Sequence, residues 1–211
     1  MQVAVLGLGR FGTELALSLA RQGHEVLAVD SSATTVARIA DDVAKAAIAD
    51  ITDQAALRDL GVHTMDAAVV ATSALEASVL ASINLQELGV QPIYAKARSE
   101  RHAQILQRLG ADRVIEPEKD GGQRFAHLLR VRNAQDYLSL SADYGIGLYR
   151  ATSALHGETL ERLDQQNTTR RLLMVVQGEK VQLNPPLSQK IEPGDLLVFA
   201  GTDEDLAREL G

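Results

Sequence analysis

The 211-residue chain contains no cysteine and no tryptophan. Without cysteine there is neither a disulfide framework nor a thiolate zinc site, which accords with a reducing cytoplasm. Phe, Trp and Tyr together make up only 3% of the sequence, which removes the stacking platforms used by single-strand nucleic-acid binders. Positive charge is also in short supply. Lys and Arg number 21 against 28 Asp and Glu, for a net charge of −7, and with no basic block the sequence excludes nucleic acid as a main partner. Long apolar runs are missing too: "AAVVATSALEASVLASINL" is interrupted by Glu76 and several serines and divides into a strand and a helix, so no segment is expected to span a bilayer. The N-terminus "MQVAVLGLG" enters a strand at once, with no signal-peptide pattern.

What the chain has in quantity is apolar residues, 45% of the total, and a glycine motif at its start. Val3 to Leu6 read as a buried strand. Gly7, Gly9 and Gly12 follow at G-x-G-x-x-G spacing, and Phe11, Leu15 and Leu19 then recur every four residues. In such a strand–turn–helix the first glycine permits the turn, the second admits a pyrophosphate against bare backbone, and the third lets the helix close on the strand. Phosphates would sit on the helix N-terminus, where unpaired N–H groups favour an anion. Gly23 stops the helix, "EVLAV" forms a second strand, and Asp30 stands at its end, placed to accept hydrogen bonds from both ribose hydroxyls and to repel a 2′-phosphate.

The alternation continues through "KAAIAD" (45–50), "DAAVVAT" (66–72), "QPIYAKA" (91–97) and "DRVIEP" (112–117). Six strands separated by helices predict an α/β, Rossmann-like, doubly wound parallel sheet over residues 1–117. Ligand groups are expected at the carboxyl ends of its strands, at Gly7 to Gly12, Asp30, Asp50 to Asp53, Thr72 and Lys96 to Arg98. Residues 118–134 read as a connecting helix with Phe125, Leu128 and Leu129 on one face, and residues 135–211 as a small α+β lobe of short strands.

Catalytic chemistry is sparse. The histidines His24, His63, His102, His127 and His156 are scattered and expected at the surface, and no nucleophile-elbow or metalloprotease motif occurs. A hydride-transferring enzyme would need a proton donor or acceptor beside the nicotinamide, so a binding module is favoured over an NAD-dependent oxidoreductase and no catalytic residue is assigned. Arg10 lies inside the glycine loop, where a guanidinium can fork onto phosphate oxygens. Glu116, Glu118 and Asp120 are hard oxygen ligands that suit Mg²⁺ or Ca²⁺, or else complement a helix dipole.

The stretches "VLGLGRFG…GHEVLAVD", "AKA", "LGADRVIEPEKD" and "IEPGDLLVFAG" together resemble the RCK (KTN, TrkA-type) cytosolic regulatory subunits of bacterial potassium channels and transporters. One N-lobe followed by one C-lobe is similar to the Ktr type. The resemblance implies a homodimer assembling into an octameric ring beneath a membrane-embedded, KtrB- or TrkH-like potassium-translocating subunit. It also implies an N-lobe that binds ATP, ADP or NAD(H) without turnover, in a protein that is cytoplasmic and peripheral to the membrane through its partner. By motif, Gly7, Gly9, Phe11 and Gly12 shape the phosphate loop, Arg10 addresses the terminal phosphate across the dimer, and Asp30 with Ser31 holds the ribose. Asp50, Ile51, Thr52 and Thr72 line the adenine side, Lys96 lies near phosphate, and Glu118 helps hold a divalent cation at the dimer interface. Ser73 stands where relatives often have glycine. Arg170 lies near the place of a glycine that precedes a C-lobe strand in relatives that bind cyclic di-AMP, which speaks against that ligand. A regulator of a cation antiporter built from the same lobes is the nearest alternative.

Overall fold

The computed structural model describes residues 1–130, 134–141, 143–165 and 170–207. Two compact units divide it, Met1–Glu118 and Lys119–Gly211.

In the first unit, strands β1 (Gln2–Leu6), β2 (Glu25–Asp30), β3 (Lys45–Ile48), β4 (Ala67–Val70), β5 (Ile93–Lys96) and β6 (Arg113–Ile115) alternate with helices α1 (Arg10–Arg21), α2 (Ala33–Ala37), α3 (Gln54–Asp59), α4 (Leu75–Glu87) and α5 (Glu100–Arg108). All pairings are parallel, in the order β3-β2-β1-β4-β5-β6. The predicted sheet is therefore present, and its chain order reverses between β1 and β4, where crevices open in folds of this kind.

A sheet of this topology must be covered on both faces. Ala4, Leu6, Leu27, Val29, Val70 and Ile93 meet Leu57, Ala81, Leu85 and Leu106 from α3, α4 and α5 on one face. On the other, Val3, Val5, Val26, Ala28 and Val69 meet Ala16 of α1 and Val36 of α2. Cover on this second face is incomplete, because α1 and α2 lie over the β1–β2 side. A cleft of about 300 Å³ remains beside α1, lined by Phe11, Leu15 and Leu19 of that helix with Val69, Tyr94 and Ile115 of the sheet.

Helix α6 (Pro117–Arg130) follows β6. Leu128 packs into the core of the second unit, whereas Phe125 and Leu129 are 61% and 75% exposed. The expected common face thus splits, with Leu128 inward and the other two in solvent; Val131 to Asn133 of the expected helix lie outside the described residues. The second unit is a five-stranded antiparallel sheet in the order β10-β9-β11-β8-β7, built from β7 (Ala134–Ser139), β8 (Tyr144–Arg150), β9 (Arg171–Gln177), β10 (Lys180–Leu183) and β11 (Leu196–Thr202). With α7 (Leu160–Gln165) and α8 (Asp203–Ala207) it encloses a core of Tyr149, Phe199, Val175, Leu197, Leu160, Leu163 and Leu206. No helix among the described residues is long and apolar enough to cross a membrane.

Candidate functional site

The three glycines of the first turn do different work. Gly7 takes φ of +97°, a left-handed conformation that disfavours any side chain. At Gly12 a Cβ would lie 1.9 Å from the Gly7 carbonyl oxygen and 3.1 Å from Ala71 Cβ, so the close approach of α1 to the sheet forbids one. Gly9 is unlike both. Its φ of −64° and ψ of −176° are open to any residue, and a Cβ there would meet nothing within 4 Å. Neither backbone nor packing requires glycine at this position.

Gly9 is also the N-cap of α1, which starts with no side-chain cap and no acid in its first turn. The first N–H groups of a helix lack intrahelical acceptors. In three other helices of this unit side chains supply them, Ser32 capping α2, Asp53 α3 and Ser99 α5, whereas α4 has no side-chain cap but carries Glu76 in its first turn. The bare start of α1 opens onto a recess of about 430 Å³ lined by Gly9, Arg10, Thr13, Thr35, Arg38 and Glu14, whose carboxylate is paired with Arg21. On the other side of the loop, Gly7, Asp30, Ser31, Asp50, Ile51 and Thr72 line a recess of about 150 Å³. The structure thus brings together most of the residues predicted for the crevice.

Asp30 is more committed than the sequence reading supposed. Its Oδ2 accepts the Leu8 N–H at 2.7 Å and its Oδ1 accepts the Ser32 N–H at 2.8 Å. The carboxylate therefore shapes the glycine loop and the start of α2 before any ribose arrives, and each oxygen keeps one lone pair for a hydroxyl. Asp50 closes its own turn, accepting from the Thr52 N–H at 2.9 Å and the Thr52 hydroxyl at 2.8 Å, and these bonds hold its carboxyl below the ordinary range. Thr72 Oγ1 accepts the Ala74 N–H at 3.2 Å.

Arg10 is exposed at the mouth of the larger recess. Lys96 is buried, with Nζ 5.8 Å from the centre of the Phe11 ring and 2.7 Å from Glu118 Oε1. Phe11 thus supports Lys96 from beneath and lines the apolar cleft of the other sheet face, rather than either polar recess. The Lys96 hydrogen bond, with a smaller contribution from the Arg10 charge, holds the Glu118 carboxyl below the usual carboxylate range. Mg²⁺ and Ca²⁺ need several oxygen ligands. Among the described residues no three His, Asp or Glu gather in a way that could hold a metal, and one Glu118 oxygen already faces an ammonium. The cation expected at Glu118 belongs to an interface between two copies; among the described residues of one chain Glu116 and Asp120 do not gather with Glu118 to hold it.

Histidine 102 overturns its surface assignment. It is 2% exposed on the inner face of α5, beside Ala103 and Leu106, with Nε2 2.7 Å from Ser78 Oγ on α4. A signal was present, since Ser99 three residues earlier marks a helix start and places position 102 one turn in. Thr35 and Arg38, which the sequence reading does not name, also line the larger recess beside Arg10; their placement shortly after Asp30 is the available clue.

A family model described as the TrkA-N domain matches residues 3–117. The Ktr system potassium uptake protein C of Bacillus subtilis is 34% identical over 209 residues, which cover 98% of this chain and 95% of that one. The Ktr system potassium uptake protein A of Vibrio alginolyticus is 32% identical, covering 99% and 96%. Among solved structures, the GsuK RCK domain superposes with a TM-score of 0.67 at 20% identity; the match takes in 98% of this chain and 46% of that longer one. The GsuK channel bound to NAD matches at the same TM-score with 17% identity over 40% of its length.

Proposed function

This chain belongs to the TrkA-N family, as a full-length relative of the Ktr potassium uptake proteins, and from that premise we propose that it is a nucleotide-sensing regulatory subunit of a membrane potassium transporter. The N-lobe binds an adenine nucleotide, ATP or ADP with NAD(H) as a further candidate, and does not turn it over. Its ribose lies at Asp30 and Ser31, its adenine toward Asp50, Ile51, Thr52 and Thr72, and its phosphates on the bare N-terminus of α1 with Arg10 and Lys96 to hand. One observation carries the reading: Gly9 has no structural need to be glycine, yet it stands where a phosphate would approach the backbone.

Copies pair and build a ring that acts on a potassium-translocating membrane subunit from the cytoplasmic side. Support comes from apolar surface that a lone chain leaves bare, namely the cleft of Phe11, Leu15, Leu19, Tyr94 and Ile115 and the exposed Phe125 and Leu129. ATP and ADP switch the ring only through their difference in affinity for its two shapes. A divalent cation enters this reading solely as a ligand shared by Glu118 of two copies. Cyclic di-AMP has no place in it; Arg170 is buried over the Phe199 ring, and the neighbouring Asn167 to Thr169 lie outside the described residues.

The test is calorimetric titration with ATP, ADP, NADH and NADP, run beside an assay of NADH oxidation with carbonyl substrates. Tight adenine-nucleotide binding, weak NADP binding and no turnover are expected. Turnover would favour the oxidoreductase alternative, and absence of all binding would end the nucleotide reading. Potassium flux through a Ktr-type membrane subunit, with and without this chain, separates a potassium regulator from an antiporter regulator.

A further inference from the structure

The loops after β4 and β5 both lie at the ligand edge of the sheet, and a single directional chain of hydrogen bonds ties them together. It starts at the backbone N–H of Arg98, which donates to His102 Nδ1 at 3.4 Å. A backbone N–H can only donate, so Nδ1 must carry a lone pair and the ring proton must sit on Nε2. Nε2–H then donates to Ser78 Oγ at 2.7 Å. The Ser78 hydroxyl in turn donates to the Leu75 carbonyl at 2.9 Å. The two ends of the series are fixed, since a backbone N–H only donates and a carbonyl only accepts, and reversing the central His102–Ser78 bond would set two donors against each other at Arg98 and leave the Leu75 carbonyl without a donor. The ends of the series are informative. Arg98 sits two residues after Lys96, and Leu75 opens α4 three residues after Thr72.

We infer that His102 is a positioning residue for the nucleotide crevice, acting as a neutral Nε2–H imidazole that locks the loop of Lys96 and Arg98 to the helix start behind Thr72. This rests on the nucleotide reading proposed above. The surroundings suit the neutral ring: it is buried between α4 and α5, and the Arg98 charge further disfavours protonation. The backbone N–H of His102 also caps the turn, donating to Ser99 Oγ at 3.3 Å. The residue therefore closes its own loop through its backbone and couples that loop to α4 through its side chain. Thr72 borders the recess that takes adenine, while Lys96 reaches Glu118 on the phosphate side. Through this connection, a shift at one part of the crevice is felt at the other.

Three measurements on the full chain test the inference. Nitrogen-15 NMR of the parent near neutral pH should show a neutral His102 ring protonated at Nε2; a ring protonated at Nδ1 or at both nitrogens would overturn the bond series, whatever the variants do. Amide hydrogen exchange should find the Arg98 N–H protected in the parent and in His102→Asn, whose side-chain oxygen can occupy the place of Nδ1, and fast in His102→Leu. Equal protection in all three would overturn the coupling. Calorimetry with ADP should then give a loss of about fivefold or more for His102→Leu, partly recovered in His102→Asn. If the loop loosens while ADP affinity stays at the parent value, His102 is structural only and the positioning role is wrong. If the parent itself does not bind ADP, the nucleotide reading fails and the positioning role with it, while the exchange data still decide whether the loops are coupled.

Discussion

Replacing Gly9 by alanine separates a glycine kept for a ligand from one kept for the fold. The substituted methyl would meet no protein atom within 4 Å, and the local φ of −64° suits alanine. Two small terms remain. Alanine restricts the unfolded chain, which stabilises by roughly 0.4–1 kcal/mol, and it is a poorer N-cap than glycine by a similar amount, about 0.5–1 kcal/mol. They nearly cancel, so stability should change by no more than about 0.5 kcal/mol, or roughly 1–2 °C in melting temperature for a chain of this length. Gly12→Ala is the control, because its methyl would lie 1.9 Å from a backbone oxygen. Overpacking of that kind costs about 1–3 kcal/mol, a loss of several degrees. Nucleotide binding should rank the variants differently. A methyl at Gly9 occupies the approach of the phosphates and should weaken ADP and ATP at least about tenfold, equivalent to about 1.4 kcal/mol. Thermal melts without ligand and calorimetric titrations with both nucleotides give the two orders. If Gly9→Ala binds like the parent, the open space at the loop is not a phosphate site; if it melts as low as Gly12→Ala, the glycine serves the fold after all.

Four further outcomes are expected. Asp30→Ala should weaken adenine nucleotides by roughly 2–4 kcal/mol, through loss of charge-assisted bonds to ribose and of the acceptor that holds the Leu8 and Ser32 N–H groups; unchanged affinity by calorimetry would show the crevice misread. Arg10→Ala should weaken ATP more than ADP, since the terminal phosphate is their only difference, and equal losses would remove Arg10 as its reader. Burial lowers the His102 pKa, so the unfolded state binds the extra proton first; stability is full above the unfolded value of about 6.5 and declines as pH falls below it. Melting temperature should accordingly drop more steeply with acidification in the parent than in His102→Asn, and parallel curves would contradict the assignment. Mg²⁺ or Ca²⁺ should raise the melting temperature of the ATP complex more than that of the ADP complex, by mass action on the assembled form, and Glu118→Gln should erase the difference; a mutant that keeps it would exclude a shared carboxylate site.

The parallel sheet was legible because each of its strands is an apolar run followed by a helix with a clear stop, and Gly7, Gly12 and Asp30 occupy positions that backbone geometry dictates. Short-range rules reached that far. They did not reach His102, since its burial depends on α4 lying against α5, a contact between residues 24 apart in the chain. Lys96 and Glu118 posed the same difficulty: each was read as a ligand for something else, and their ion pair spans 22 residues. Phe125, Leu128 and Leu129 show a third kind of limit. Helical periodicity placed them on one side of α6, but which of them would find a protein neighbour depends on the second core.

Helix α1 carries the glycine loop at one end and Phe11, Leu15 and Leu19 along the flank that borders the apolar cleft. Binding at its tip and contact along its side therefore act on one rigid lever. If a second copy covers the flank, ligand occupancy and pairing are thermodynamically reciprocal, and each must strengthen or weaken the other by the same factor. The practical consequence is that nucleotide affinity would not be a fixed constant of this protein. It would vary with protein concentration across the pairing equilibrium, so that dilution alone would change the response to an unchanged supply of ATP and ADP.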